Sequence, residues 1–159
     1  MNRIILIGNG FDIAHGLKTQ YSDFINWYWN CWIDVLKQCD EDKTEDDICE
    51  LGIRNNKTWA KFFQEEKKLL NECRGIEFLN KIRFSYPTST YCKLCDILAK
   101  VCDQIEQKKW VDIEDIYYSL LKKSINVNDS YTVKVADLNK HMDSLKNKLI
   151  QYLNELPEV

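Results

Sequence analysis

Gly8 and Gly10 stand either side of Asn9, and Asp12, His15, Thr19 and Tyr21 follow them. Glycines at this spacing let the backbone turn sharply and let a ligand approach the main chain closely. The free N–H groups of a helix starting near Phe11 would face an anion. Asn9 or Asp12 can accept from ribose hydroxyls, and a histidine at position 15 is a side chain of the type that could shuttle a proton near neutral pH. These residue types together suit a phosphate-bearing or nucleotide ligand. Competing readings stay open: Gly8-Asn9-Gly10 as an ordinary tight turn, Asp12 as a helix cap and His15 as a solvated or hydrogen-bonded histidine.

The element that would position this loop comes just before it. Ile4, Ile5, Leu6 and Ile7 form an unbroken apolar run too short for a helix, and it reads as a strand buried on both faces, as in a parallel sheet. The pattern departs from the dinucleotide fingerprint. Ile13 stands where a third glycine would be, and no second strand ending in an acid follows about 20 residues on. Helical sequence follows instead.

The block ILIGNGFDIAHGLKTQYSDF resembles the opening motif of the AbiH family, bacterial proteins associated with abortive infection by phage. The likeness rests on Gly8, Asn9, Gly10, Phe11, Asp12, His15, Gly16, Leu17, Thr19, Tyr21 and Phe24 in one ungapped run. A weaker echo, Trp110, Asp112, Ile113, Glu114 and Tyr117, is similar to a Trp-x-Asp-x-Glu segment of the same family. The resemblance implies a mostly α fold with a small α/β nucleus of Rossmann-like, sirtuin-like type: a parallel-type N-terminal strand, the glycine loop, then five or six helices. It implies that residues 1–159 form a single domain, the N-terminal part of a longer AbiH-like α/β fold. That family's second half carries an Asn-Tyr strand motif and a His-Gly motif, and this chain supplies neither. Its only His-Gly pair, His15-Gly16, belongs to the opening block.

The implied function is phage defence with NAD or a related adenine nucleotide as ligand, and hydrolysis of that nucleotide in the complete protein. Asp12, His15 and Glu114 become the catalytic candidates. Gly8, Asn9, Gly10, Phe11, Asp12, Thr19 and Tyr21 become the cofactor-binding set, and no residue is assigned to a metal. Glu114 has two neighbours with a plainer role: Asp112 reads as a helix N-cap and Asp115 as a first-turn acid. Glu114 itself is the residue expected to face the ligand loop.

Composition narrows the class. The 159 residues are 45% hydrophobic and 12% aromatic, enough for one globular domain. A formal charge of -3 with interspersed lysines and arginines provides no basic field, so nucleic acid is not indicated as a partner. Four apolar residues before Gly8 are too few for a signal peptide, and nothing approaches the roughly 18 apolar residues of a membrane span. Seven scattered cysteines read as reduced thiols in a cytoplasmic protein. Cys92 and Cys95 have the spacing of a zinc or redox pair, but no matching ligands follow. With Ala99 and Cys102 they read as one small-residue face of a helix from about Ser89 to Gln107.

The remaining elements follow from periodicity. Ser22 to Gln38 is predicted helical, with Phe24, Tyr28 and Trp32 on one face widened by Trp29 and Ile33, an apolar surface broad enough to meet a second subunit or a further part of the fold. Seven acids between Asp40 and Glu50 predict a solvated loop or short exposed helix. A helix from about Thr58 to Cys73 is expected to end at Gly75, and Phe78 to Phe84 to form a short helix stopped by Pro87. The seam Val135, Leu138, Met142, Leu145, Leu149, Tyr152 and Leu156 predicts a long amphipathic helix that packs internally or on a partner helix. Only Tyr131 to Val135 alternates weakly as a further strand. A single buried strand leaves its backbone unpaired, so its neighbours are expected from a further half or from another copy in a homo-oligomer. The alternative function is a non-enzymatic helical interaction module.

Overall fold

The computed structural model describes residues 16, 18–54, 57–66, 73–108, 110–126 and 131–157. The Ile4–Ile7 run and the loop residues Gly8, Asn9, Gly10, Phe11, Asp12 and His15 lie outside them. Six α-helices occur among the described residues: α1 (Tyr21–Lys37), α2 (Trp59–Glu65), α3 (Ile76–Asn80), α4 (Asp96–Lys108), α5 (Ile113–Ile125) and α6 (Val135–Glu155). Three strands, β1 (Lys43–Glu45), β2 (Cys49–Ile53) and β3 (Thr90–Leu94), form one sheet in the order β1-β2-β3.

Both strand pairings are antiparallel, with Thr44 opposite Leu51 and Leu51 opposite Cys92. A parallel, Rossmann-like nucleus was the expectation; the sheet of the described residues is of the other kind. Its strands also come from sequence expected to be non-strand. The acidic stretch folds as a hairpin because Asp46 closes the turn: its Oδ1 accepts from the Ile48 and Cys49 N–H groups at 2.9 and 2.8 Å. Ile48, Leu51 and Ile53 then become core, while Lys43 bridges the like-charged, directly paired Glu45 and Glu50 at 2.8 and 3.4 Å. Cys92 belongs to β3 rather than to a helix, so the expected face of Cys92, Cys95, Ala99 and Cys102 is divided between strand and α4. Residues 131–134 form no strand, and α6 begins at Val135.

The aromatic helix is the centre of the molecule. Phe24, Ile25, Trp29 and Leu36 are fully buried, with Tyr28, Trp32 and Ile33 nearly so. Aromatics extend around more than one face because α1 packs against α2, α3, α4 and α6 together. Much of the surface expected to meet a partner is therefore covered by this chain, while Val35 stays 55% exposed. The C-terminal seam is used the same way: Leu138, Leu145 and Tyr152 are buried, and Met142, Leu149 and Leu156 pack against the same core.

Gly75 opens a helix rather than closing one. It is the N-cap of α3 at φ 55°, and α1 supplies the missing acceptors: Asn30 Oδ1 takes the Gly75 N–H at 2.9 Å and Asn26 Oδ1 takes that of Ile76 at 3.0 Å. A wider π-helical turn, Lys81–Ser85, continues α3. It keeps Ile82 in the core and leaves Phe84, on the opposite side of the turn, 70% exposed.

Candidate functional site

Of the residues singled out from sequence, Thr19, Tyr21 and Glu114 lie within the described structure. Tyr21 is the first residue of α1, and its ring meets Phe24 edge-on at 6.4 Å. The stretch leading into it is tied to the core, since the Tyr152 hydroxyl donates to the Lys18 carbonyl at 2.6 Å. Gly16, at φ 76°, adopts a left-handed conformation that side-chain-bearing residues avoid. Thr19 is half-buried between these fixed points.

Glu114 lies in the first turn of α5. Asp112 caps that helix as expected, its carboxylate accepting from the Asp115 N–H at 2.9 Å. The Asp112 N–H in turn donates to Gln104 Oε1 of α4 at 2.9 Å, so the start of α5 is fixed relative to the core. Asp112 and Asp115 thus serve the helix, leaving Glu114 exposed to solvent.

Tyr21 and Glu114 line the same cavity, of about 310 Å³, between the starts of α1 and α5 and the flank of α6. Its walls are Ile113, Met142, Leu145 and Leu149, and its polar groups are Tyr21, Glu114, Tyr117 and Lys146. Burial raises the pKa of the Tyr21 hydroxyl, so it stays protonated and able to donate. The Tyr117 hydroxyl is held by Asn139 Oδ1 on α6. An apolar slot with a few phenol, carboxylate and ammonium groups at its edge suits a flat ring with a polar rim.

Tyr117 and Lys146 were given no role from sequence. Tyr117 had a local signal, since it follows Glu114 by three residues on one helical face. Lys146 had none, because only the packing of α6 against α5 brings it to the slot. Among the described residues no group of three or more His, Cys, Asp or Glu side chains could hold a metal ion.

A family model described as bacteriophage abortive infection AbiH matches residues 4–157. The chain belongs to the AbiH family. The match takes in both segments that carried the resemblance, including Tyr21 and Glu114 of the shared cavity. No curated protein and no solved structure matches this AbiH chain. No described helix of it is long and apolar enough to cross a membrane.

Proposed function

We propose that this AbiH protein acts in phage defence by binding a nucleotide at the Gly8 to His15 loop, with the cavity beside Tyr21 and Glu114 receiving the ligand's flat ring. Membership of a family described by abortive infection supports the phage-defence role. The observation that carries the binding role is the convergence of Tyr21 and Glu114, far apart in sequence, on one apolar slot next in the chain to the loop. In this reading backbone N–H groups around Gly10 and Phe11 hold phosphate, Asn9 and Asp12 orient the ribose, Thr19 and Tyr21 complete the pocket and His15 moves a proton. NAD or a related adenine nucleotide is the first candidate, and nucleotide hydrolysis is the reaction assigned to the complete protein, with Glu114 as the second carboxylate. Seven free thiols fit a reducing cytoplasm.

Calorimetric titration of the full chain with NAD and with ATP tests this reading. Micromolar to millimolar binding of one of them, abolished by Asp12→Ala and weakened at least about tenfold by Glu114→Gln with the helical signal unchanged, is the expected result. Binding that survives both substitutions, or no binding of either nucleotide, overturns it.

A further inference from the structure

A separate cavity of about 260 Å³ opens where β3 meets the π-helical turn, and its lining includes Arg54, Arg83, Phe84, Tyr91 and Cys92. Its described lining holds two guanidinium groups and no carboxylate. Neither arginine belongs to any ion pair among the described residues.

Both arginines are placed by the fold. Arg54 Nε donates to the Thr90 carbonyl at 3.4 Å, and the guanidinium lies 5.6 Å from the centre of the Tyr91 ring. Arg83 is presented by the π-helical turn. The buried Thr90 hydroxyl pins that turn to the first residue of β3, lying 3.0 Å from the Ile82 carbonyl and 2.9 Å from that of Tyr86. Cys92 follows Thr90 by two residues and so shares its face of the sheet.

The thiol has a second partner. With Leu51 opposite Cys92 and Leu94 opposite Cys49, the two cysteines stand diagonally on one face of β2 and β3. The neighbouring Cys49 thiol, aided by the Arg83 charge, lowers the Cys92 pKa against the opposing effect of burial. Burial pushes Cys95 up to about 11 and Cys102 up to about 12, and also raises the exposed Cys31, which faces Glu155 and Asp34. Nucleophilic reactivity follows the thiolate, so Cys92 is set apart from these thiols.

We propose that Cys92 is a thiol-exchange site for small disulfides bearing carboxylates, with Arg54 and Arg83 receiving the carboxylates while the sulfur attacks. The Cys92 thiolate forms a bond to one sulfur of the reagent as the reagent's S–S bond breaks. The departing sulfur leaves with the bonding pair as a thiolate and takes a proton from water. Cys92 is thereby oxidised to a mixed disulfide and the departing half of the reagent is reduced. Cys49 is a positioning residue that keeps its own proton and supports the thiolate.

The test uses the reduced full chain at low salt and neutral pH, exposed to glutathione disulfide or to the cationic disulfide cystamine, quenched with acid and mapped by peptide mass spectrometry. Cys92 is expected to carry the first glutathione adduct and to react with that reagent roughly tenfold faster than with cystamine, a preference that shrinks as salt screens the charges. Arg83→Gln should reduce the preference several-fold, and Arg83→Lys should retain most of it. First modification at exposed Cys31, equal rates for the two reagents at Cys92, or a preference indifferent to salt overturns the proposal. The salt series needs no substitution and stands even if a variant folds poorly.

Discussion

Replacing Asp46 with alanine tests whether one acid from the charged stretch holds the hairpin to the helical core. Its Oδ1 accepts the Ile48 and Cys49 N–H groups at 2.9 and 2.8 Å, while its Oδ2 accepts the Tyr28 hydroxyl at 3.1 Å and the Lys148 ammonium at 2.8 Å. Bonds to a charged acceptor contribute about 1.5–3 kcal/mol each. The side chain is 23% exposed, so the low end applies, and the two backbone bonds together account for about 3 kcal/mol. Lys148 can return to water, which limits the ion pair to about 1 kcal/mol or less. With about 1.5 kcal/mol more for the Tyr28 hydroxyl bond, the expected loss for Asp46→Ala is therefore about 4.5–5.5 kcal/mol, against total stabilities of about 5–15 kcal/mol for domains of this kind. The isosteric Asp46→Asn keeps the Oδ1 acceptor that closes the turn and loses mainly the charge, so its loss should be about 1–2 kcal/mol. Urea unfolding followed by tryptophan fluorescence measures both variants. Equal destabilisation by the two substitutions, or an alanine variant within about 1 kcal/mol of the native chain, would refute the assignment of the stability to the turn.

Three further outcomes follow from particular contacts. Gly75→Ala adds a Cβ only 2.1 Å from Asn26 Oδ1 at a residue with φ +55°, so it should cost about 2–3 kcal/mol through strain and a lost cap, read as a lower urea midpoint. Tyr152→Phe removes the bond to the Lys18 carbonyl and should lower stability by about 1 kcal/mol in thermal unfolding, while weakening any ligand held by the adjoining loop. Cys95 and Cys102 have pKa values raised by burial to about 11 and about 12, so the folded state retains thiol protons that the unfolded chain loses at about pH 8.5. Their contribution is complete below that pH and is lost as pH rises through the folded values; urea midpoints should be flat from about pH 6 to 8 and fall above about pH 9, less steeply in Cys102→Ala.

The parts of this fold that were legible in sequence are those whose signal is local. The aromatic helix was expected over Ser22 to Gln38 and spans Tyr21–Lys37, because large apolar residues recur at helical spacing without interruption. The Asp112 cap and the start of α6 were legible for the same reason. The sheet was not. In β2 the residues Cys49 to Ile53 were hidden by the charges around them, and the ladder that stabilises them comes from Thr90 to Leu94, far along the chain. Cys92 happened to stand three residues before Cys95, so a strand was absorbed into the following helix. For the candidate site, Tyr21 and Glu114 could be named from their motifs, but only packing shows that they share a cavity with Lys146.

The cap of α3 bears on how the chain reaches this structure. A helix this short cannot sustain itself, since forming the first turn is unfavourable and the π-helical turn that continues α3 adds too little to compensate for it. Its opening turn is completed by Asn26 and Asn30, which belong to a helix made earlier during synthesis. The conformation of residues 75–80 is thus written partly at positions 26 and 30. Excised as a peptide, the segment would lose its shape, and in the nascent chain it must wait for α1 to act as its template.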